Sequence, residues 1–257
     1  MKQKDQIIKV GFLYPGHAAE DDYPRIGKMV QPEVGVELVH TDFNQDAHTV
    51  EALSEMGSVP RIIDGTKHLQ DLGIKSVLWT STSASFVQGI NGIKKQIKTL
   101  EEQLHVPAST TAMAFVRAAQ AIEVSRVAIA ATYPKDIALL FKNFLESFGI
   151  EVVQYASKGI ITAAEVGTLK KQEVLQFAVE NDCAGADALF IPDTALHSVE
   201  WIEELEKAVN KPVLTANQVS FWEALRLTGH YQVQPGLGTL FKRQAPTERG
   251  LAGDNKS

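Results

Sequence analysis

The densest run of reactive side-chain types in the chain is Thr80-Ser81-Thr82-Ser83-Ala84-Ser85, where five of six residues carry a hydroxyl. It follows the apolar segment Ser76–Trp79 and precedes a helix-like stretch opening near Phe86. A strand-to-helix turn of this composition offers backbone N–H groups and hydroxyls to a carboxylate or phosphate. The competing reading is a helix cap with spare hydroxyls. A second reactive spot is Asp193-Thr194-Ala195, which emerges from the apolar run Ala188–Ile191. A carboxylate placed there suits a general acid/base, and it equally suits a cap for the following helix. Pro15 and Tyr133 end two further strand-like runs and reach the same place.

Other chemistries find little support. No GxxxxGK[ST] loop is present, nor a GxGxxG after the first strand, and HExxH and GxSxG are absent. His17, His40 and His197 could reach the strand ends, where Glu20, Asp42 or Asp193 could complete a metal site; no spacing is ligand-like, so neither metal nor cofactor is expected. His68 and His105 read as solvated helix residues, and Glu20-Asp21-Asp22 as a helix start. The single cysteine, Cys183, excludes an intrachain disulfide and falls at a helix C-terminus, remote from the strand ends. With a net charge of −6 and no basic stripe, nucleic acid is not an expected partner. No apolar run approaches the ~20 residues of a membrane helix, and the N-terminus lacks a signal-peptide core. A cytoplasmic location is expected, with homo-oligomerisation left open. The segment Gln244–Ser257 reads as a mobile tail.

These residues must be positioned by alternating elements. Strand-like runs occur at Ile7–Leu13, Val36–His40, Ser76–Trp79, Arg126–Ala131, Glu151–Tyr155, Ala188–Ile191 and Val213–Leu214. Helix-like periodicity occupies Val59–Leu72, Gly89–Leu104, Thr111–Ile122, Pro134–Phe148, Lys170–Asp182, Ser198–Val209 and Val219–Thr228. This alternation predicts an α/β fold with parallel sheets covered by helices. Ligands then sit beyond the carboxyl ends of the strands. A repeat runs through the same elements. Leu13-Tyr14-Pro15 matches Thr132-Tyr133-Pro134, and Gly35-Val36-Glu37-Leu38-Val39 matches Gly149-Ile150-Glu151-Val152-Val153. Ser81-Thr82 then matches Asp193-Thr194, and Val106-Pro107 with Thr110 and Phe115 matches Lys211-Pro212 with Thr215 and Phe221. Four matches in one order predict two pseudo-symmetric halves, about 1–125 and 126–243, with the site in the cleft between them.

At these residues the chain resembles the aspartate/glutamate racemase superfamily, in the branch of arylmalonate decarboxylases and maleate isomerases. The resemblance spans about residues 7 to 240. It rests on Gly11-Phe12-Leu13-Tyr14-Pro15, Thr82-Ser83-Ala84-Ser85-Phe86, Ala131-Thr132-Tyr133, Asp193-Thr194-Ala195-Leu196, and Lys211-Pro212-Val213-Leu214 through Asn217-Gln218 to Phe221-Trp222. Membership implies two flavodoxin-like halves around a cofactor-free site for a small carboxylate. It implies an enediolate or carbanion intermediate held by hydroxyls and N–H groups, roles that would fall on Thr82, Ser83, Tyr133 and the N–H groups of Thr194 and Ala195.

One departure matters. Family racemases carry a cysteine after the strand in each half, and those positions here read Ser81 and Asp193. Thiolate chemistry is thereby removed, since an alcohol is a far weaker nucleophile and base. Two readings stand. The first is a cofactor-independent lyase or isomerase of a small carboxylic or dicarboxylic acid, with Asp193 as proton donor or base. Its site is one-sided, because Ser81 faces Asp193 by the repeat. The second is a non-catalytic relative whose cleft binds a small carboxylate.

Overall fold

The computed structural model describes residues 7–229 and 232–242. The expected tail from Gln244 onward lies outside them. Eight strands fall into two four-stranded sheets. The first holds β1 (Lys9–Pro15), β2 (Gly35–Thr41), β3 (Val77–Trp79) and β4 (Ala108–Thr110), and the second holds β5 (Arg126–Ala131), β6 (Glu151–Ser157), β7 (Ala188–Ile191) and β8 (Val213–Thr215). Their orders are β2-β1-β3-β4 and β6-β5-β7-β8, with every pairing parallel. The same order in both sheets is the repeat written in three dimensions. The central strands are buried almost throughout, which explains their continuous apolar runs.

The helices are α1 (Asp22–Met29), α2 (Val50–Met56), α3 (Val59–Thr66), α4 (Ser83–Phe86), α5 (Gly89–Leu104), α6 (Thr111–Ala121), α7 (Lys135–Glu146), α8 (Ala163–Val166), α9 (Lys171–Asn181), α10 (Ile202–Val209), α11 (Ala216–Thr228) and α12 (Gly238–Lys242). No helix among the described residues is long and apolar enough to cross a membrane. Threonine hydroxyls start several of them: Thr110 accepts from Met113 N–H, Thr162 from Glu165 N–H and Thr49 from Ala52 N–H. Thr215 caps α11, and the Gln218 side chain accepts from its N–H at 3.1 Å. Thr110 and Thr215, matched in the repeat, thus do the same job in each half.

The two halves interlock through these capped helices. Phe115 of α6 packs against Phe190 of β7 at 5.4 Å and Phe141 of α7 at 5.5 Å. Phe221 of α11 reciprocates against Phe12 of β1 at 5.7 Å. Where α6 meets α11, Thr111 and Ser220 hydroxyls lie 2.7 Å apart among alanines small enough for close approach. One apolar core consequently runs through both halves, while a smaller cluster around Ala128, Leu189 and Ile191 fills the far face of the second sheet.

The structure departs from expectation in short elements. β4, α2, α8 and α12 carry no long pattern of their own. The three residues of β4 are extended because β3 supplies their hydrogen-bond partners. Gly238 opens α12 at φ 75°, and a β-carbon there would lie 2.5 Å from Ile202 Cγ2.

Candidate active site between the two sheets

The carboxyl ends of β1, β3 and β7 converge on a cavity of about 60 Å³. Its walls include Pro15, Ser81, Ser83, Asp193, Thr194 and Ala195 of the expected set. Asp193 is 4% exposed, at the turn after β7. One carboxylate oxygen accepts the Thr132 hydroxyl and the other accepts Ala195 N–H at 2.9 Å. Two donors therefore fix the carboxylate's orientation while leaving lone pairs for a further donor. The helix-cap reading of Asp193 is met only locally: it bonds the N–H two residues on, within its own turn.

Two tyrosines brace that turn. Tyr14, ending β1, donates to Thr194 O at 2.9 Å and accepts from Ala19 N–H at 3.1 Å. Tyr133, after β5, donates to Pro192 O. Burial pushes both phenols well above their ordinary range, and the nearby Asp193 charge adds to the effect. Both thus stay protonated donors. The neighbouring Thr82 and Ser83 side chains act in the opposite direction, and Thr82 Oγ1 is buried with no hydrogen-bond partner among the described residues. The three expected anion-binding side chains thus neighbour one another, and of the three only Ser83 reaches the cavity. Tyr133 and Thr82 do not line the cavity.

The hydroxyl run is also more structural than its composition suggests. Thr80 donates to Leu13 O at 2.6 Å, Ser85 donates to Ser81 O at 2.9 Å, and Ser81 Oγ accepts Ala84 N–H at 3.3 Å. Only Ser81 and Ser83 of the five face the cavity. The Ala195 N–H, expected to hold an anion, is already bound to Asp193, and its expected role is corrected accordingly.

The histidines separate. His17, Glu20 and His40 bring their ligand atoms within 4.8 Å of one another at the cavity lip. Glu20 already accepts Ala18 N–H at 2.7 Å and lies 3.2 Å from His17 Nδ1. His197 instead meets Asp21 at 2.8 Å, and Asp42 is exposed elsewhere. Cys183 sits before β7, at the opposite end from Asp193. The four residues of that strand span about 13 Å.

Sequence reasoning passed over two cavity residues. Asp46 caps α8 of the other half, accepting Ala163 N–H at 2.8 Å and Ala164 N–H at 3.0 Å. His48, 6% exposed, shares the cavity wall with Asp193. The available signal was position: both lie in or just beyond the segment that leaves the carboxyl end of β2 for the threonine-capped α2.

Residues 29–241 match the arylmalonate decarboxylase family. The chain belongs to that family. Among its relatives, the arylmalonate decarboxylase of Bordetella bronchiseptica is 27% identical over 236 residues, covering 85% of this chain and 96% of the relative. A maleate isomerase of Nocardia farcinica is 24% identical over 183 residues, covering 69% and 73%. The fold agrees. The maleate isomerase from Pseudomonas putida S16 superposes with a TM-score of 0.83 at 20% identity, over 92% of this chain and 99% of the other. A liganded arylmalonate decarboxylase double mutant gives 0.80 at 22% identity, covering 92% and 99%. A third structure, a Nocardia farcinica maleate cis-trans isomerase mutant, carries a covalently bound succinylcysteine intermediate and gives 0.83 at 21% identity, covering 92% and 99%. Within the family, this member holds an acid, not a thiol, at the turn after β7.

Proposed function

We propose that this protein is a cofactor-independent lyase or isomerase of a small carboxylic or dicarboxylic acid. The observation that carries the reading is Asp193: a buried, doubly anchored carboxylate on a cavity at the carboxyl ends of strands from both sheets. Family membership supports the same reaction class, since relatives are named arylmalonate decarboxylase and maleate isomerase. A route through a cysteine adduct has no support here, because the only thiol is remote from the cavity.

In this proposal the substrate carboxylate meets the Ser83 hydroxyl together with the N–H groups of Ser83 and Thr194. Those N–H groups form no hydrogen bond within the described residues. Charge builds on the carboxylate oxygens as the enediolate forms, and preset donors stabilise it most at that moment. Asp193 takes or returns the proton at the adjacent carbon. Pro15 walls the cavity, Ser81 shapes it through its bond to Ala84, and Tyr133 acts as a brace of the Asp193 turn. A volume of about 60 Å³ admits only a few water-sized groups, which favours a compact acid.

The test is a panel of malonate, methylmalonate, phenylmalonate and maleate in D2O, followed by proton NMR for deuterium uptake, CO2 loss or isomerisation. Turnover or exchange at one of them is expected. Binding of an acid with no exchange and no product would establish a non-catalytic binding protein instead.

A further inference from the structure

We infer that His48 is the second proton-transfer group of this cavity, acting through Nε2. The inference rests on the enzymatic reading above and deepens it. By the repeat, the site holds one acid, Asp193, and one alcohol, Ser81, and looks chemically one-sided. The structure supplies a titratable group from the other half, on the segment between β2 and α2.

Three contacts fix the ring. His48 N–H donates to Ile161 O at 2.6 Å, the imidazole Nδ1 lies 3.0 Å from Ile160 O, and the ring meets Tyr133 edge-on at 5.0 Å. A carbonyl can only accept, so Nδ1 carries the hydrogen. In the neutral ring, Nε2 then bears the lone pair. No group among the described residues hydrogen-bonds Nε2, although the residue is 94% buried and lines the cavity. An imidazole held in one tautomer by a carbonyl, with its other nitrogen left open on the cavity, is an arrangement suited to a general base. The titratable groups around it are Asp46 on its own loop, tied to α8, and Tyr133, Tyr14, His17 and Asp193 on the elements facing it.

The step balances with the substrate alone. For proton exchange or isomerisation at a saturated carbon, the C–H bond beside the carboxylate breaks, its electron pair enters the carboxylate as an enediolate, and the proton moves to Nε2. Return of a proton from the Nε2 imidazolium to the carbon restores the neutral ring and closes the cycle. For decarboxylation, the C–C bond breaks, CO2 leaves, the pair enters the retained carboxylate, and an imidazolium protonated from water delivers its proton to carbon.

The test uses His48→Asn and His48→Gln. The Asn amide can keep the bond to Ile160 O, and the Gln amide can place a polar group near Nε2; neither exchanges protons at neutral pH. On whichever acid of the malonate–maleate panel the wild type processes, both variants are expected to lose about a hundredfold or more in kcat. KM should change by only a few-fold, and the histidine limb of the wild-type pH profile should vanish. Nitrogen-15 NMR of the ring should show the Nδ1–H tautomer, with the Nε2 signal moving when malonate is added. A His48→Asn protein with kcat within threefold of wild type and an unchanged pH profile overturns the proposal, as does an Nε2–H tautomer. Wild-type protein inert on the whole panel removes the enzymatic reading itself, and this inference with it.

Discussion

Replacing Asp193 by Asn isolates chemistry from structure. The carboxylate accepts from Thr132 and from Ala195 N–H. Asparagine keeps one carbonyl oxygen for Ala195, and the Thr132 hydroxyl can turn to accept from the new amide. Two bonds to a charged acceptor, at about 1.5–3 kcal/mol each, become neutral ones of about 0.5–1.5 kcal/mol. The charge no longer has to be buried at 4% exposure, which offsets part of that loss. A net destabilisation of about 1–2 kcal/mol is expected, read as a Tm lower by roughly 2–8 °C. That is a fraction of a domain's stability of about 5–15 kcal/mol, so the variant stays folded. Turnover should nevertheless fall by at least about a hundredfold, or roughly 2.7 kcal/mol of transition-state stabilisation. Ser81→Ala, which removes only the bond from Ala84 N–H, should cost less. The assay is deuterium uptake or product formation on the processed acid, beside a melting curve for each variant. Near-normal turnover by Asp193→Asn, with the modest Tm shift, would leave Asp193 as a turn-stabilising residue and refute the mechanism.

Asp46→Ala removes two charge-assisted bonds to the first N–H groups of α8 and should destabilise the protein by about 1–2 kcal/mol; a lower urea midpoint at constant m-value would register it. Burial holds the Asp22 carboxyl above its usual range, against the opposing bonds from Asn217 and Ser198. The folded state therefore binds more protons than the unfolded one above pH ~3.9, and this group's contribution declines as pH rises from there through the folded value. Asp22→Asn can still accept both bonds through its one oxygen, so its stability at pH 7 should equal or exceed wild type, with a flatter profile in urea titrations across pH. Cys183→Ser, and alkylation of the wild type with N-ethylmaleimide, should leave turnover within about twofold. Inactivation by either would place a thiol in the reaction.

The sequence by itself determined the architecture. Buried parallel strands must be apolar throughout, so seven of the eight strands were readable as runs, and matched markers such as Tyr14 with Tyr133 and Thr110 with Thr215 revealed the duplication. It also placed Asp193, because a lone carboxylate following an apolar strand lands at the sheet edge wherever the rest of the chain goes. Tertiary structure decided what each polar group does there. The hydroxyls of Thr80, Ser85 and Tyr133 look identical in sequence to an anion cradle, yet their protons go to backbone carbonyls at the turns. His48 was invisible for the converse reason. Its orientation depends on Ile160, 112 residues away in the other half, and no local pattern encodes a hydrogen bond that exists only once the two sheets have closed on each other.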